Sequence, residues 1–247
     1  MRAILLAAGR GLRLQQPLDS ERPKCLLEFG GQTLLERHLR LLARAGVSDI
    51  VLALGFRHEA IEAQLARWND LPRPQIVLNA RFELGSVLTL HTAAAALTAG
   101  GDVLVMDADV LYHERIMRAL VAGAAPVNRL LIDRDFEPGD EAVKVCVRDG
   151  RPVELRKQLA PALSYDTVGE SVGFFRFSEQ GARRLAAIVG DYVSSARAHM
   201  PHEEAVRDLL LEGSAIFDIA DVSGSPWIEI DFPADLQRAA EQILPRL

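Results

Sequence analysis

The sequence predicts an α/β fold with a doubly wound, mostly parallel sheet. Short apolar runs alternate with amphipathic segments along the first half of the 247 residues, and the first run, Ile4 to Leu6, leads into a glycine-rich loop. Strands buried on both faces and joined by helices are typical of parallel sheets. The length fits one large domain, in which we expect about 1–125 and about 126–247 to be two halves of one unit.

The elements of the first half follow a repeated order of strand and helix. From Gln32 to Ala45 leucines recur at helical spacing, and Gly46 stands where a helix would end. The same reasoning predicts helices at Glu59–Trp68, Ser86–Ala99 and His113–Ala122, and buried strands at Ile50–Leu54, Ile76–Leu78 and Val103–Met106. This order predicts βαβ units that place their strands side by side in one sheet.

After Pro126 the pattern changes to one that is typical of antiparallel strands. Valines alternate with polar residues from Val143 to Val147, and Asp149-Gly150 is a dipeptide that favours a tight hairpin turn. Further elements are predicted at Gly169–Phe177 (strand), Glu179–Ile188 and Glu203–Leu211 (helices), Ala215–Val222 (strand) and Pro233–Ile243 (helix). We interpret this half as an elaboration that binds a second substrate.

The composition argues against several classes of protein. A net charge of -6, from 28 Lys and Arg against 34 Asp and Glu, argues against a general polyanion binder, so nucleic acid is not an expected partner. Cys25 and Cys146 lack metal-type spacing and are expected to be buried thiols. No apolar run is long enough for a signal peptide or a membrane span, which predicts a cytoplasmic protein without membrane partners. A monomer or homodimer is expected.

The loop after the first strand carries the first candidate site. It has the sequence Leu6-Ala7-Ala8-Gly9-Arg10-Gly11-Leu12-Arg13-Leu14, and Pro23-Lys24-Cys25-Leu26 follows. Glycines there would let backbone N–H groups approach a polyphosphate, and Arg13 and Lys24 would supply positive charge. The alternative is a simple strand-to-helix turn with solvated basic residues. The spacing lacks the third glycine of a dinucleotide loop and the Gly-Lys-Ser/Thr ending of an ATPase loop.

Two acidic segments form the second candidate site. Asp107 and Asp109 follow a buried strand, at the edge where open α/β sheets bind ligands, and their oxygens suit Mg²⁺. The alternative is that such an aspartate caps the next helix, an interpretation that suits Asp107 in particular. In Trp227 to Leu236, alternation places Glu229 and Asp231 on one strand face. Helix capping is again the alternative for Asp231.

These segments together resemble the signature of the sugar-phosphate nucleotidyltransferase superfamily, and Pro23 to Leu26 resembles the branch of phosphocholine and 2-aminoethylphosphonate cytidylyltransferases. The resemblance runs through most of the chain and implies a Rossmann-like, GT-A-like nucleotidyltransferase sheet with an inserted β-hairpin that binds the acceptor. It implies that Gly9, Gly11 and Arg13 bind the triphosphate and that Lys24 contacts the reacting phosphate or the departing pyrophosphate. The segment 14–18 is one residue longer than the family pattern.

The resemblance also implies a metal and a base site. Asp109 resembles the superfamily's metal-binding aspartate and Asp231 its second ligand, so Mg²⁺ is the expected cofactor, with Arg13, Lys24, Asp109 and Asp231 as the catalytic set. Ala8 and Ser86 are the candidates for contact with the base. A cap for the helix that begins nearby is the alternative role for Ser86.

Five residues are candidates for binding the acceptor. By the same resemblance four of these are Lys144, Lys157, Glu170 and Gly173, of which the lysines would bind phosphate or phosphonate oxygens and Gly173 would leave space; Glu203 is the fifth. Solvated lysines on a surface strand and a surface helix with glutamates are the alternatives. An aminated acceptor would call for acidic or aromatic groups, which His202, Glu203, Glu204 or Trp227 could supply.

The expected reaction joins CMP from CTP to a small phosphorylated or phosphonylated acceptor, such as 2-aminoethylphosphonate or phosphocholine, and releases pyrophosphate. A sugar-1-phosphate as acceptor is the main alternative. A non-catalytic regulator that binds a nucleotide sugar would have lost the charged residues of the site. A glycosyltransferase would also use an Asp-x-Asp pair such as Asp107-Ala108-Asp109. Its substrate is a diphosphate sugar, which has less need of a glycine-rich, basic loop than a triphosphate has.

Overall fold

The computed structural model describes residues 1–14, 22–123, 127–137, 139–213 and 216–247. In chain order its strands are β1 Arg2–Ala7, β2 Glu28–Phe29, β3 Gln32–Thr33, β4 Asp49–Leu54, β5 Gln75–Leu78, β6 Val103–Asp107, β7 Val110–Tyr112, β8 Asn128–Asp133, β9 Lys144–Arg148, β10 Arg151–Arg156, β11 Thr167–Phe177, β12 Phe217–Asp221 and β13 Trp227–Glu229. Its helices are α1 Leu34–Arg44, α2 His58–Leu65, α3 Ser86–Thr92, α4 Ala94–Thr98, α5 Glu114–Val121, α6 Glu179–Ser194, α7 His202–Leu211 and α8 Pro233–Arg238.

One central sheet contains strands from both halves of the chain. Its order is β10-β9-β11-β6-β1-β4-β5; in addition, β8 pairs with part of β11, and β12 pairs with β8. The strands β6, β1, β4 and β5 are parallel, whereas β11 runs antiparallel to β6 and brings the hairpin of β9 and β10 into the sheet. The predicted doubly wound α/β fold is therefore confirmed, with the antiparallel strands of the second half along one side.

Period-two alternation in β1 explains how helices cover both faces of this sheet. Ile4 and Leu6 contribute to an apolar cluster on one face, which includes residues of α3, α6 and α7. Ala3 and Leu5 contribute to the cluster on the other face, which includes residues of α1 and α5. Each large side chain buried in this way stabilises the fold by about 1.5–3 kcal/mol, so the central strands are firmly held. The loops at the carboxyl ends of these strands are therefore anchored in fixed positions.

The segment 86–99 was predicted as one helix and forms two. α3 ends at Thr92 and α4 begins at Ala94, with Ala93 between them at φ -92° and ψ 13°. The Thr92 hydroxyl donates a hydrogen bond to the Leu88 carbonyl at 3.0 Å. Threonine side chains that bond back to the preceding turn bend helices, which accounts for the interruption.

Several further elements differ from the prediction. The sequence patterns did not predict strand β8, which lies between β11 and β12, or the short strand β7, which pairs with β13. Helix α6 continues to Ser194, beyond the predicted end at Ile188. Three positions used in the predictions lie outside the described residues: Pro126, Ala215 and residues 15–18 of the segment that is longer than the family pattern. No helix within the described ranges is long and apolar enough to cross a membrane.

Candidate active site

The loop after β1 opens into a cleft of about 540 Å³ at the carboxyl edge of the parallel strands. Residues from both halves of the chain line it; those singled out by sequence are Ala8, Gly9, Arg13, Lys24, Ser86, Asp107, Asp109, Lys157, Glu203, Glu229 and Asp231. Open α/β sheets bind ligands at this edge. The structure therefore brings most of the predicted site residues into one cleft.

Gly11 makes room for the lysine that reaches into this cleft. Its φ is +64°, and a Cβ at this position would lie 2.9 Å from both Cγ and Cε of Lys24. Lys24 begins a short helical turn after Pro23, Lys24–Leu26. A residue with a side chain at position 11 would be strained and would push Lys24 away.

Two distant aspartates meet at the Lys24 ammonium. Lys24 Nζ lies 3.0 Å from Asp109 Oδ2 and 2.6 Å from Asp231 Oδ1, and these three side chains are 14–23% exposed. Burial alone would lower the pKa of Lys24, but Asp109 and then Asp231 outweigh it and raise that pKa well above its usual value. Lys24 is thus a fixed positive charge in the floor of the cleft.

The pairing of β13 with β7 explains why Asp231 lies beside Asp109. The Ile230 N–H donates to the Asp109 carbonyl at 3.0 Å, and Ile228 and Ile230 point into the core. Asp235 accepts hydrogen bonds from the backbone N–H groups of Asp231 and Phe232 at 2.9 and 2.7 Å. Asp231 is therefore not the helix cap, because the Asp235 carboxylate accepts these hydrogen bonds at the amino end of α8.

Arg13 and Lys157 both reach a carboxylate that sequence reasoning missed. Arg13 Nη1 lies 2.9 Å from Glu141 Oε2 and Arg13 Nη2 lies 2.8 Å from Asp231 Oδ2. Lys157 Nζ lies 2.8 Å from the same Glu141 oxygen. Glu141 therefore holds the two cations at the mouth of the cleft, and nothing in the sequence around it pointed to that contact.

Asp109, Glu229 and Asp231 form the first of two acidic groups, named here the lysine-paired cluster. One carboxylate oxygen from each lies within 4.8 Å of the others. Glu229 is partly open to solvent, yet loss of hydration and then Asp109, Asp231 and Asp107 raise its pKa well above the usual value. Lys24 therefore balances only part of the negative charge. Three hard oxygen ligands with excess negative charge fit a magnesium ion.

Asp107, His202 and Glu203 form the second group, named here the histidine cluster, whose ligand atoms also lie within 4.8 Å of one another. His202 Nδ1 lies 3.1 Å from Glu203 Oε2, and His202 Nε2 lies 3.9 Å from Asp107 Oδ2. Burial lowers the pKa of His202, but Glu203 and Asp107 outweigh it and raise that pKa to about 9. Burial and the acids Glu203 and Asp109 raise the pKa of Asp107 to about 8, against the effect of His202.

The helix-capping interpretation of Asp107 is wrong because a strand, β7, follows and no helix begins there. Gly173 permits the position of Asp107: its φ is +76°, and a Cβ there would lie 2.6 Å from Asp107 Oδ2. The space that Gly173 leaves is thus filled by Asp107, whereas we had expected it to accept the substrate.

The two base-side candidates also hold the framework of the cleft together. The Ser86 hydroxyl accepts a hydrogen bond from the backbone N–H of His202 at 2.8 Å. It therefore pairs with an N–H group in the first turn of α7 and does not cap its own helix, α3. The Ala8 carbonyl accepts from the Phe56 N–H at 3.0 Å. Both residues line the cleft, and their contact with a base stays a prediction.

Two of the acceptor candidates lie apart from the cleft. Lys144 Nζ donates to the carbonyls of Gly139 and Lys157 at 2.7 and 2.8 Å, so its ammonium holds loop backbone. Glu170 lines a neighbouring acidic cavity, where burial and then Asp133 raise its pKa to about 7. The structure thus brings Lys157 and Glu203 to the cleft and separates Lys144 and Glu170 from it.

A glycine-rich loop, a fixed lysine and a cluster of carboxylates at the carboxyl edge of an α/β sheet are the features expected of a nucleotidyltransferase. The chain matches the MobA-like NTP transferase domain over residues 3–186 and therefore belongs to that family.

Relatives of known activity cover nearly the whole chain. It is 23% identical to the CTP:phosphoglutamine cytidylyltransferase of Campylobacter jejuni, over 98% of this chain and 100% of that protein. It is 26% identical to the CMP-5'-(3-aminopropyl)phosphonate synthase of Streptomyces rubellomurinus, over 99% of this chain but only 39% of that protein. It is 34% identical to the mannose-1-phosphate guanyltransferase of Schizosaccharomyces pombe, over 88% of this chain and 71% of that protein.

A solved structure supports the fold. The inositol-1-phosphate CTP transferase from T. maritima superposes with a TM-score of 0.79 at 20% identity, over 99% of this chain and 95% of that one. At that identity the likeness establishes the architecture alone. It confirms that the antiparallel side of the sheet belongs to the same fold as the parallel strands.

Proposed function

We propose that the protein is a magnesium-dependent cytidylyltransferase that transfers CMP from CTP to a small phosphate or phosphonate acceptor. The observation that carries this proposal is the convergence of Asp109 and Asp231, 122 positions apart by their numbering, on the Lys24 ammonium. Asp109 and Asp231 belong to different halves of the chain, and the glycine loop lies beside them in the same cleft. This arrangement suits a reaction in which two phosphorylated substrates must meet.

In the proposed reaction, an acceptor oxygen attacks the α-phosphorus of the triphosphate and the bond to the β-phosphate oxygen breaks. Pyrophosphate leaves with that electron pair, and CMP stays on the acceptor. A phosphate or phosphonate dianion is already nucleophilic, so the protein has to position and neutralise charge, and no base is required. Lys24 and Arg13 supply positive charge for the phosphate oxygens, and Gly9 lines the same cleft.

Asp109, Glu229 and Asp231 are the residues that would hold Mg²⁺. When bound, the ion would neutralise negative charge on phosphate oxygens during displacement. Glu229 extends the predicted pair of aspartates to three carboxylates, and the raised pKa of its carboxyl supports a site that gains from added positive charge. Arg13 keeps Asp231 oriented through the contact of 2.8 Å.

Relatives guide the choice of nucleotide and acceptor. The Campylobacter and Streptomyces proteins are named for the transfer of CMP to phosphoglutamine and to an aminopropylphosphonate. These names support CTP and a small acceptor that carries a phosphate or phosphonate. Among the described residues, the side chains that line the base side, such as Ser86 and Thr89, offer hydroxyl groups and no feature that singles out cytosine.

Pyrophosphate release, measured across a panel of nucleotides and acceptors, tests this proposal. The panel pairs CTP, GTP, ATP and dTTP with 2-aminoethylphosphonate, phosphocholine and mannose-1-phosphate, each with Mg²⁺ and with a chelator. We expect the highest kcat/KM for CTP with a phosphonate or phosphocholine, and no turnover with the chelator. Release of a nucleoside diphosphate in place of pyrophosphate would instead indicate a glycosyltransferase.

A sugar-1-phosphate nucleotidyltransferase is the second candidate. The Schizosaccharomyces guanyltransferase has the highest identity of the three relatives described above, 34%, and supports this alternative. It predicts that GTP with mannose-1-phosphate is the best pair of the panel. In that case the nucleotidyltransferase assignment would stand and the acceptor class would change.

A further inference from the structure

Three cations and three carboxylates alternate along the active-site cleft, in a row named here the charge chain. Neighbouring members lie 2.6–3.0 Å apart between their charged atoms. In order, the members are Lys157, Glu141, Arg13, Asp231, Lys24 and Asp109. The six charges cancel one another, so a phosphate group that binds to a cation of the chain has to replace a carboxylate that already lies there.

Glu141 differs from the other two acids of the charge chain. The aspartates belong to the lysine-paired cluster, so Mg²⁺ can balance their charge when Lys24 and Arg13 bind phosphate oxygens. Glu141 belongs to neither acidic group. Its Oε2 atom contacts both Arg13 Nη1, at 2.9 Å, and Lys157 Nζ, at 2.8 Å. One carboxylate oxygen therefore lies between the two cations, where a phosphate oxygen could make the same pair of contacts.

We propose that Glu141 holds the position that a substrate phosphate or phosphonate takes during the reaction, between Arg13 and Lys157, and that this group displaces it. The inference rests on the proposed function, because it requires substrates that bring such groups into the cleft. Carboxylate and phosphate oxygens accept the same charge-assisted hydrogen bonds from guanidinium and ammonium groups. A dianion is attracted more strongly than a carboxylate, so the substrate binds, but its affinity is reduced by the contacts that Glu141 loses.

The surroundings of Glu141 allow its carboxylate to leave without a change of fold. The side chain is 57% exposed, so it can rotate into water. The backbone on either side is held in place, because Lys144 Nζ donates to the carbonyls of Gly139 and Ala142 at 2.7 and 3.4 Å. Displacement therefore requires only a rotation of the Glu141 side chain.

A purely structural role for Glu141 is the alternative. The hydrogen bond from Lys157, together with Arg13, lowers the pKa of Glu141 against the effect of burial, so the carboxylate is ionised at neutral pH. If this charge served only to keep Arg13 and Lys157 in place, its removal would weaken the binding of phosphate groups. If Glu141 holds the position of a phosphate, its removal strengthens that binding. The two roles thus predict opposite changes in affinity.

The test measures the Kd of three ligands by isothermal titration calorimetry at a saturating concentration of Mg²⁺. CTP and pyrophosphate probe the nucleotide side, and ethylphosphonate probes the acceptor side without a second charged group. In Glu141→Gln we expect the Kd of at least one of them to fall about three- to tenfold, since the anion no longer breaks two largely exposed ion pairs. A fall for CTP and pyrophosphate alone assigns the position to the triphosphate, and a fall for ethylphosphonate alone assigns it to the acceptor.

Two controls separate the effect of charge at this position from other effects. Cytidine has no phosphate and should bind the wild-type protein and Glu141→Gln with the same Kd. Asp140→Asn removes a charge from the neighbouring residue, whose carboxylate lies 3.4 Å from the Gln158 amide and does not line the cleft. This variant should keep the wild-type Kd for every ligand. Glu141→Ala, which removes the carboxamide as well, should reproduce the gain in affinity of Glu141→Gln.

Two results would overturn the inference while leaving the proposed function intact. These are an unchanged or weaker affinity of Glu141→Gln for all three phosphate and phosphonate ligands, and an equal gain in affinity for cytidine. In both cases the wild-type protein would still bind CTP and release pyrophosphate when an acceptor is added. Failure of the wild-type protein to bind either CTP or pyrophosphate would instead count against the proposed function.

Discussion

The lysine-paired cluster and the histidine cluster lie in one cleft and have a similar composition, but different cations balance their carboxylates. Each brings together three possible ligand atoms within 4.8 Å. The first is served by a lysine whose pKa is raised well above its usual value, so its cation is permanent. The second is served by a histidine with a pKa of about 9, so its cation can be lost at accessible pH.

This difference suggests a division of work between the clusters. A strongly held ammonium between two aspartates keeps them in place until a more highly charged cation and a polyphosphate arrive. A buried imidazole between two carboxyl groups holds a proton that can be lost as the pH rises. The first cluster should therefore control the rate of the reaction, and the second should make the stability of the cleft depend on pH.

The largest effect should come from the aspartates of the lysine-paired cluster. Asp109→Asn and Asp231→Asn each remove a charge that the metal and Lys24 require, and we expect kcat to fall on the order of 10²–10³-fold, as for loss of other preorganised groups. Pyrophosphate release measures this. Asp49→Asn is the control, since it breaks only a surface pair with Arg2 of 2.8 Å. Near-normal turnover in either cluster variant would refute the metal assignment.

The next largest effect should be a change in thermal stability with Mg²⁺ when the ammonium group of Lys24 is removed. In Lys24→Met no ammonium competes for Asp109 and Asp231, so Mg²⁺ should bind more tightly than in the wild-type protein. Saturating Mg²⁺ should raise Tm by about 5–10 °C more than in wild type, as expected for a ligand at about 100 times its Kd. Differential scanning fluorimetry without nucleotide measures this.

Lys157→Met is the matched control for that experiment, because it removes an ammonium from the same cleft that contacts Glu141. Its response to Mg²⁺ should equal that of the wild-type protein. An equal response of Lys24→Met and wild type would mean that the carboxylates bind no ion where Lys24 lies.

The sequence predicted the fold because its parallel strands and helices leave local patterns. Apolar runs and helical periodicity indicated the parallel strands, and alternation in Trp227 to Leu236 correctly placed Glu229 beside Asp231 on one face. The antiparallel pairing of β13 with β7, which brings Asp231 to Asp109, depends on contacts over a long sequence distance. Only the family resemblance indicated in advance that Asp109 and Asp231 lie together.

The histidine cluster escaped prediction for the same physical reason. A helix cap was the alternative for Asp107 because the strand β7 was not foreseen, and His202 was named only as a possible contact of an aminated acceptor. Their meeting depends on Gly173 and Ser86, which lie far from both in sequence. Glu141 likewise gave no local signal, and Lys144 matched a family pattern although its ammonium is bound by backbone carbonyls.

The smallest expected effect, a dependence of stability on pH, separates the two clusters directly. The folded state raises the pKa of His202 from 6.5 to about 9. The stability this proton confers is therefore complete below pH 6.5 and lost as the pH rises through about 9. Loss of the proton from Asp107, with a pKa of about 8, acts in the same direction. The free energy of unfolding should fall by about 1–3 kcal/mol across this window.

Urea unfolding at pH 6.5 and at pH 9 measures this fall in the wild-type protein and in His202→Gln, where the part due to the His202 proton should be lost and the part due to Asp107 should remain. His58→Gln is the control, because it removes a partly exposed histidine that pairs with Glu62 on the surface of α2. It should keep the wild-type dependence on pH. An equal fall in His202→Gln would show that the proton is not held by His202, and the contrast between a permanent and a removable cation would no longer hold.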